Sequence, residues 1–307
     1  MEYKEIIRIK NNTPVYSIVE LNDLRIAIGG YDGCIRIYSV DFVMGAYKVD
    51  IECEAHNYRV NSVVNIVNGN KMVSGSADMT VKVWEVSKTE ISLIKTLFNH
   101  KDYVYKVILL SDNRFASCSR DKTIIIWDST DSFNEITTLH EQFNVYSILH
   151  MKNKQDTLVS GGDVNSVCVW NINSYQKETI IECCGAKTLN GIIELNKDLI
   201  AVNGGNSYSI DIIDVIMGKV IYKVMDKSYI VGNDYYSSIC LLTNEVFVYV
   251  HSECLCEILV KELKIGFKKK MKGEFCGRGV IAVNKGKYIL IGDCFDGVTV
   301  FELGNKI

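Results

Sequence analysis

No stretch of the 307-residue chain approaches 18 consecutive apolar residues, so the sequence encodes no membrane-spanning helix. The first ten residues, MEYKEIIRIK, carry charge on both sides of a very short apolar run, which is the wrong order for a secretory signal. An excess of basic charge is missing as well. Lys and Arg number 34 against 37 Asp and Glu, a formal net charge of −3, which argues against a broad electrostatic footprint for DNA or RNA. No long run has the 3.6-residue period of an amphipathic helix. The common enzyme signatures are absent: no Gly-x-Ser-x-Gly elbow, no phosphate loop ending in Gly-Lys-Ser/Thr, no His-Glu-x-x-His. Cysteine is plentiful, but a framework for it is lacking. Eleven is an odd number, and no spacing resembles a disulfide scaffold or a zinc ribbon. Cys183–Cys184 are adjacent, and Cys254 and Cys256 fall two apart on one face of a strand. All read as free thiols of a reducing compartment, acting as small apolar core residues. The expected sum is a protein without cofactor or metal.

What is present is a repeat. Ser74-Gly-Ser-Ala-Asp-Met-Thr-Val-Lys-Val-Trp84 has a close copy at Ser117-Cys-Ser-Arg-Asp-Lys-Thr-Ile-Ile-Ile-Trp127 and a third at Ser160-Gly-Gly-Asp-Val-Asn-Ser-Val-Cys-Val-Trp170. Successive tryptophans are 43 residues apart. The same frame reaches back 46 residues to Tyr38, and forward by 43, 46 and 42 residues to Ile213, Leu259 and Phe301. Seven units result, the last three degenerate. Each holds short apolar runs bounded by Gly, Asn and Asp, which are strand and turn signals. A period of about 40–45 residues with four strands per unit is the signature of a propeller blade. Gly29-Gly30 and Gly204-Gly205 fall just before tight turns in this frame and read as turn glycines, not a dinucleotide fingerprint.

Trp84-Glu85, Trp127-Asp128 and Trp170-Asn171, with the preceding histidines of Ala55-His56, Asn99-His100 and Leu139-His140, make the chain similar to the WD-repeat family. The resemblance covers nearly the whole chain. Two features depart from the pattern: only Trp127-Asp128 is a true Trp-Asp pair, and no glycine precedes the three histidines. The resemblance implies an all-β, seven-bladed propeller of four-stranded antiparallel blades, with residues 1–307 as a single domain. The chain stops soon after Val298 to Leu303, leaving unit seven without an outer strand, and the resemblance implies that the strand-like run Tyr3 to Ile9 fills the gap.

Unit two holds His56, Ser74, Asp78 and Trp84, a set that a search for hydrolases would stop at. The set recurs as His100, Ser117, Asp121 and Trp127, and in part as His140, Ser160 and Trp170 with the acid displaced to Asp163. A nucleophilic site is needed once per chain, a stabilising network once per blade. The resemblance implies a hydrogen-bonded structural tetrad at these positions.

Binding is the activity to look for, and the start of each innermost strand is the place. Aligning the seven units puts Tyr16, Asn61, Tyr105, Tyr146, Asn190, Ser237 and Ile281 at one position, which strand alternation turns away from the neighbouring apolar residues toward the central channel. Tyrosine offers contact area with a polar tip and is enriched at hot spots. Arg59 and Tyr103 fall nearer the rim, and the resemblance puts Tyr31 and Arg120 on the same face. The competing use of these tyrosines is to plug the channel. Lys264, Lys268 to Lys270 and Lys272 form a basic segment between units six and seven, read as a solvated loop or charged edge strand. The expectation is a non-catalytic scaffold or adaptor, a monomeric propeller within a complex, binding other proteins or peptides in the cytoplasm or also the nucleus. No small-molecule substrate and no nucleic acid are expected. Signalling scaffold, ubiquitin-ligase substrate receptor and subunit of a fixed assembly stay open. A structural subunit contacting partners through blade edges is the alternative, and a propeller enzyme a remote one.

Overall fold

The computed structural model describes residues 3–304 apart from 22, 67–69, 131, 184–187, 205–208, 226–236, 244–245, 252–253, 260–263, 271–278, 284–285 and 293–296. Among the described residues, 28 strands form seven four-stranded antiparallel sheets, and there is no helix. The fold is a seven-bladed β-propeller. Blades 1 to 6 each take four consecutive strands, whereas blade 7 takes its last three strands and the first strand of the chain.

The chain divides into two compact units, residues 1–109 with 277–307, and residues 110–276. The first unit contains blade 1 (Val15–Glu20, Ile26–Gly30, Cys34–Asp41, Ala46–Glu54) and blade 2 (Val60–Ile66, Lys71–Ser76, Val81–Val86, Ile91–Leu97). It also holds blade 7 (Val280–Val283, Tyr288–Gly292, Gly297–Leu303 and Tyr3–Lys10) and Val104–Leu109, the innermost strand of blade 3. Tyr3–Lys10 runs antiparallel to Gly297–Leu303, from Tyr3 opposite Leu303 to Lys10 opposite Gly297. Tyr3, Ile7 and Ile9 are buried there and Ile6 is half-buried against the same core; the alternation of a strand packed on one side is regular from Ile7 onward, after the register shift between Glu5 and Ile7. The second unit contains the remaining strands of blade 3 (Arg114–Ser119, Thr123–Asp128, Glu135–His140), blade 4 (residues 145–182), blade 5 (189–225) and blade 6 (237–270).

Successive blades meet through a repeated knob and hole. Gly75, on the second strand of blade 2, lies so close to the innermost strand of blade 3 that a methyl group on it would sit 2.7 Å from Val104 Cγ1. Gly29 stands likewise against Val60, Gly161 against Leu189, and Gly292 against Val15. The apolar residue that opens one innermost strand therefore fills the space left by glycine on its neighbour. This corrects the reading of Gly29 and Gly30 as turn glycines: both end the strand Ile26–Gly30, and the turn residue that needs a positive φ is Gly33, at 83°. Gly204 also ends a strand, Leu199–Gly204, and Gly205 lies outside the described residues.

Candidate interaction surface

The tight turn between the second and third strands of blade 2 shows how the repeat is locked. Asp78 Oδ1 accepts from the backbone N–H of Thr80 at 3.0 Å and from its hydroxyl at 2.6 Å, and Met79 takes a φ of 70° to close the turn. The other oxygen, Oδ2, accepts from His56 Nδ1 at 2.9 Å and from the backbone N–H of Asn57 at 3.1 Å, which ties the incoming loop to the turn. His56 Nε2 lies 2.7 Å from Ser74 Oγ, which accepts from Trp84 Nε1 at 2.8 Å. The protons run one way: indole N–H into the serine oxygen, serine hydroxyl into Nε2, Nδ1–H into the carboxylate. A proton on Nε2 would confront Ser74 with two donors and strand its own hydroxyl proton. Burial accordingly holds the His56 pKa below its ordinary value, against the pull of Asp78. For Asp78, burial pushes upward, but the bonds from His56 and Thr80 outweigh it and hold the carboxyl well below the usual range.

Blade 3 shows the matching bond from Trp127 Nε1 to Ser117 Oγ at 2.8 Å, with Asp121 Oδ1 accepting from the Thr123 N–H at 3.0 Å. His100 is buried. Blade 4 departs from the sequence expectation. His140 is exposed, at the end of the outermost strand of blade 3, and the next residue, Glu141, takes the buried place. Its Oε1 accepts from Ser160 Oγ at 2.7 Å and from Trp170 Nε1 at 3.0 Å, while Oε2 meets Lys177 Nζ at 2.6 Å. Lys177 also lies 4.7 Å from the centre of the Trp170 ring. Asp163 does not complete this set. It holds Asn144 through the backbone N–H at 2.8 Å and the side-chain amide at 2.7 Å.

The innermost strands carry the second constellation, and the cause of its geometry is a β-bulge. In blade 1 Val15 pairs with Gly30 and Ser17 with Gly29, so Tyr16 is the extra residue. Asn61, Tyr146 and Asn190 are the extra residues at the same place in blades 2, 4 and 5. Blade 7 pairs Val280, Ile281 and Ala282 in unbroken register, and Ser237 of blade 6 pairs regularly with His251. Simple alternation is therefore not what aims these side chains. A bulge re-aims the extra residue and sharpens the local twist. The residue that follows it is put to use: Ser17 Oγ accepts from the Val63 N–H at 2.9 Å and Ser62 Oγ from the Val107 N–H at 3.1 Å, which couples blade 1 to 2 and blade 2 to the innermost strand of blade 3. Sequence reasoning missed both serines. Their signal was the recurring Tyr/Asn-Ser pair at Tyr16-Ser17, Asn61-Ser62 and Tyr146-Ser147.

Within the first unit these residues form a cluster. The rings of Tyr31 and Tyr16 lie 6.0 Å apart, and the Arg59 guanidinium is 5.6 Å from the centre of Tyr16 and 5.3 Å from the centre of Tyr103. Arg59 Nε donates to Asn61 Oδ1 at 3.1 Å, and Asn61 Nδ2 donates to the Val104 carbonyl at 2.7 Å. Tyr105 is half-buried on the same strand as Val104. In the second unit Tyr146 and Asn190 are half-buried and Arg120 is exposed. Of the basic segment, Lys264 and Lys268 to Lys270 lie on Lys264–Lys270, the outermost strand of blade 6; their side chains, and Lys272 altogether, lie outside the described residues. No three His, Cys, Asp or Glu side chains gather as a metal would require among the described residues.

The pattern described as "WD domain, G-beta repeat" matches residues 48–85 and 91–128. Each match starts on the outermost strand of one blade and ends on the third strand of the next, the frame in which the tryptophans recur. With the seven four-stranded blades, this identifies the repeats. The chain carries WD repeats over residues 48–85 and 91–128 of a seven-bladed propeller. Among curated WD-repeat relatives, it is 31% identical over 124 residues to "Nuclear distribution protein nudF" of Aspergillus flavus and of Aspergillus oryzae, matches that take in 39% of this chain and 27% of those proteins. It is 33% identical over 136 residues to "Protein HIRA" of Dictyostelium discoideum, a match to 38% of this chain and 12% of that protein. The matched part thus spans about a quarter or less of these WD-repeat relatives.

Proposed function

We propose that this WD-repeat chain is a non-catalytic interaction propeller that holds a peptide or protein segment on the aromatic surface of its innermost strands. The observation that carries the reading is the cluster of Tyr31, Tyr16, Arg59 and Tyr103, in which a guanidinium lies against two rings at 5.6 and 5.3 Å. A plain plug does not need an arginine, and aromatic residues with arginine are the commonest hot-spot residues. Asn61 and Tyr105 are the further proposed partner-binding residues of the first unit, and Arg120, Tyr146 and Asn190 are those proposed on the second unit. The tetrads of His56, Ser74, Asp78 and Trp84 and of His100, Ser117, Asp121 and Trp127 are assigned a structural role, and the cytoplasm or nucleus is the proposed location.

The test is capture from cell extract by wild type and by a Tyr105→Ala, Tyr146→Ala double variant of unchanged melting temperature. Loss of most captured proteins supports the reading; full retention overturns it. One observation favours a second reading, in which blade edges dock into a fixed assembly. Two outer hairpins end in bulky apolar tips, Val43-Met44 and Ile216-Met217, all four strongly exposed. In each, an aspartate oxygen accepts from the two tip N–H groups (Asp41 from Val43 and Met44, Asp214 from Ile216 and Met217), so the tips are held out by design of the turn. Capture lost on Val43→Ser, Met44→Ser but kept in the tyrosine variant would favour that reading.

A further inference from the structure

We infer that Arg59 is a carboxylate anchor: its two terminal nitrogens receive the side-chain carboxylate of an acidic residue in an extended partner peptide. The inference rests on the proposed use of this surface for peptides and names what is read there. The described arginines differ sharply in how they are satisfied. Arg36 meets Asp32 and Glu52, each at 2.7 Å. Arg25 meets Asp23 at 2.7 Å and the carbonyls of Ser87 and Lys88 at 2.7 and 3.2 Å. Arg114 donates to the Ile172 carbonyl at 2.9 Å. Arg59 spends only Nε, on Asn61 at 3.1 Å, and no carboxylate or carbonyl of the described residues reaches Nη1 or Nη2. Neither nitrogen is sealed from solvent.

The rest of the group is fixed. Tyr16 and Tyr103 both lie against it, and Nε is tied to Asn61, itself bonded to the Val104 carbonyl at 2.7 Å. The group is thereby held in place while its end remains open. A guanidinium held so presents two parallel N–H bonds from its end, the fork that matches the two oxygens of a carboxylate. Because the arginine is ordered before binding, little side-chain entropy is lost when the fork is filled. The rim supplies an apolar contact beside it. Tyr31 is 55% exposed, and Tyr58, next to Arg59 in the chain, is 66% exposed. The occupant is therefore an acidic residue flanked by an aromatic or aliphatic one.

The experiment is selection from a phage-displayed random dodecapeptide library on wild type, Arg59→Gln and Tyr105→Ala propellers, each first shown to melt like wild type. The expected result is an Asp or Glu fixed beside an apolar position on wild type and absent on Arg59→Gln. The best peptide is then synthesised with Glu, Gln or phosphoserine at the fixed position and titrated by fluorescence anisotropy. Glu→Gln in the peptide and Arg59→Gln in the protein should each weaken binding about tenfold or more, and together no further, as one bidentate bond demands. Arg59→Lys should fall nearly as far, since a point charge lacks the fork. An acid-free consensus, no consensus at all, or additive losses would overturn the inference. So would a phosphoserine peptide bound about tenfold tighter than Glu, which would assign the fork to phosphate. Peptides lost on Tyr105→Ala but indifferent to Arg59 would sink the carboxylate anchor and leave peptide binding standing, whereas peptides indifferent to both would sink the two together.

Discussion

His56 and Glu141 solve one problem in two ways. Each supplies a buried acceptor for the serine–tryptophan pair of its blade, but histidine must be neutral to do so and glutamate is an acceptor on both oxygens. Protonating His56 breaks the one-way chain from Trp84 to Asp78. Its folded pKa lies below the ordinary value, so the unfolded chain binds the proton first and stability falls as the pH drops through about 6.5 and beyond. Asp78, also depressed, adds its loss only under more acid conditions, below the ordinary aspartate value of 3.8. Melting curves between about pH 7.5 and pH 5 should show this step in wild type and a smaller one in His56→Gln. An equal step in both would assign the acid sensitivity to another group. For Glu141 the expectation is a loss of about 2–4 kcal/mol on Glu141→Ala, because Ser160 and Trp170 lose their shared acceptor and Lys177 its partner. His140→Ala, one residue away and exposed, should stay within about 0.5 kcal/mol. Urea denaturation of the two variants decides it, and the reverse order would restore His140 to the tetrad.

At the scale of the strand, glycine and bulge work together. The bulge at Tyr16, Asn61, Tyr146 and Asn190 skips one residue, so that the next, a serine or Gly191, lies opposite a residue on the second strand. In blades 1, 2 and 4 that opposite residue is the glycine that accepts the neighbouring blade. Blade 5 exchanges the sizes: Gly191 faces Asn203, whose Oδ1 would lie 2.0 Å from a methyl group on Gly191. Gly75→Ala should cost about 1–3 kcal/mol, since the new methyl group meets Val104 at 2.7 Å with no room to move. Adding Val104→Ala should recover part of that loss, measured by chemical denaturation. Simple addition of the two costs would mean that they do not share one space. This layer was only half legible in the sequence. Period, strand grammar and the Asp turns show in the spacing of Trp84, Trp127 and Trp170, because each is a local pattern. A bulge is a property of pairing between strands, and Tyr16-Ser17 looks like ordinary alternation until its partner Gly29 is known. The swap of His140 for Glu141 was hidden in the same way, since a histidine stood one residue early, 30 residues before Trp170, where His56 and His100 stand 28 and 27 before their tryptophans. The cluster at Arg59 was legible as a set of residues and not as contacts.

For the whole molecule the informative strand is the first. Tyr3–Lys10 is distant in sequence from Gly297–Leu303 and pairs with it along its length, so the seventh blade is complete only when both are folded. The need for this strand could be read from the missing fourth run of unit seven; its register, with a shift between Glu5 and Ile7, could not. Tyr3, Ile7 and Ile9 bury their side chains in that blade, and each contributes about 1.5–3 kcal/mol relative to exposure. Removing residues 1–10 takes away those side chains and leaves Gly297–Leu303 as an open edge with unpaired N–H and C=O groups. The truncated chain should melt lower and self-associate, as light scattering and sedimentation would record. General loss of core could produce the same result, so the decisive measurement is complementation. A synthetic peptide of sequence YKEIIRIK added in trans should raise the melting temperature of the truncated chain and suppress its association, because the slot it fills is already shaped by Val298, Val300 and Phe301. A peptide with Ile7 and Ile9 replaced by Ser should not. If the truncated chain is monomeric and as stable as the full one, or if the two peptides act alike, the first strand is not what completes the blade in solution.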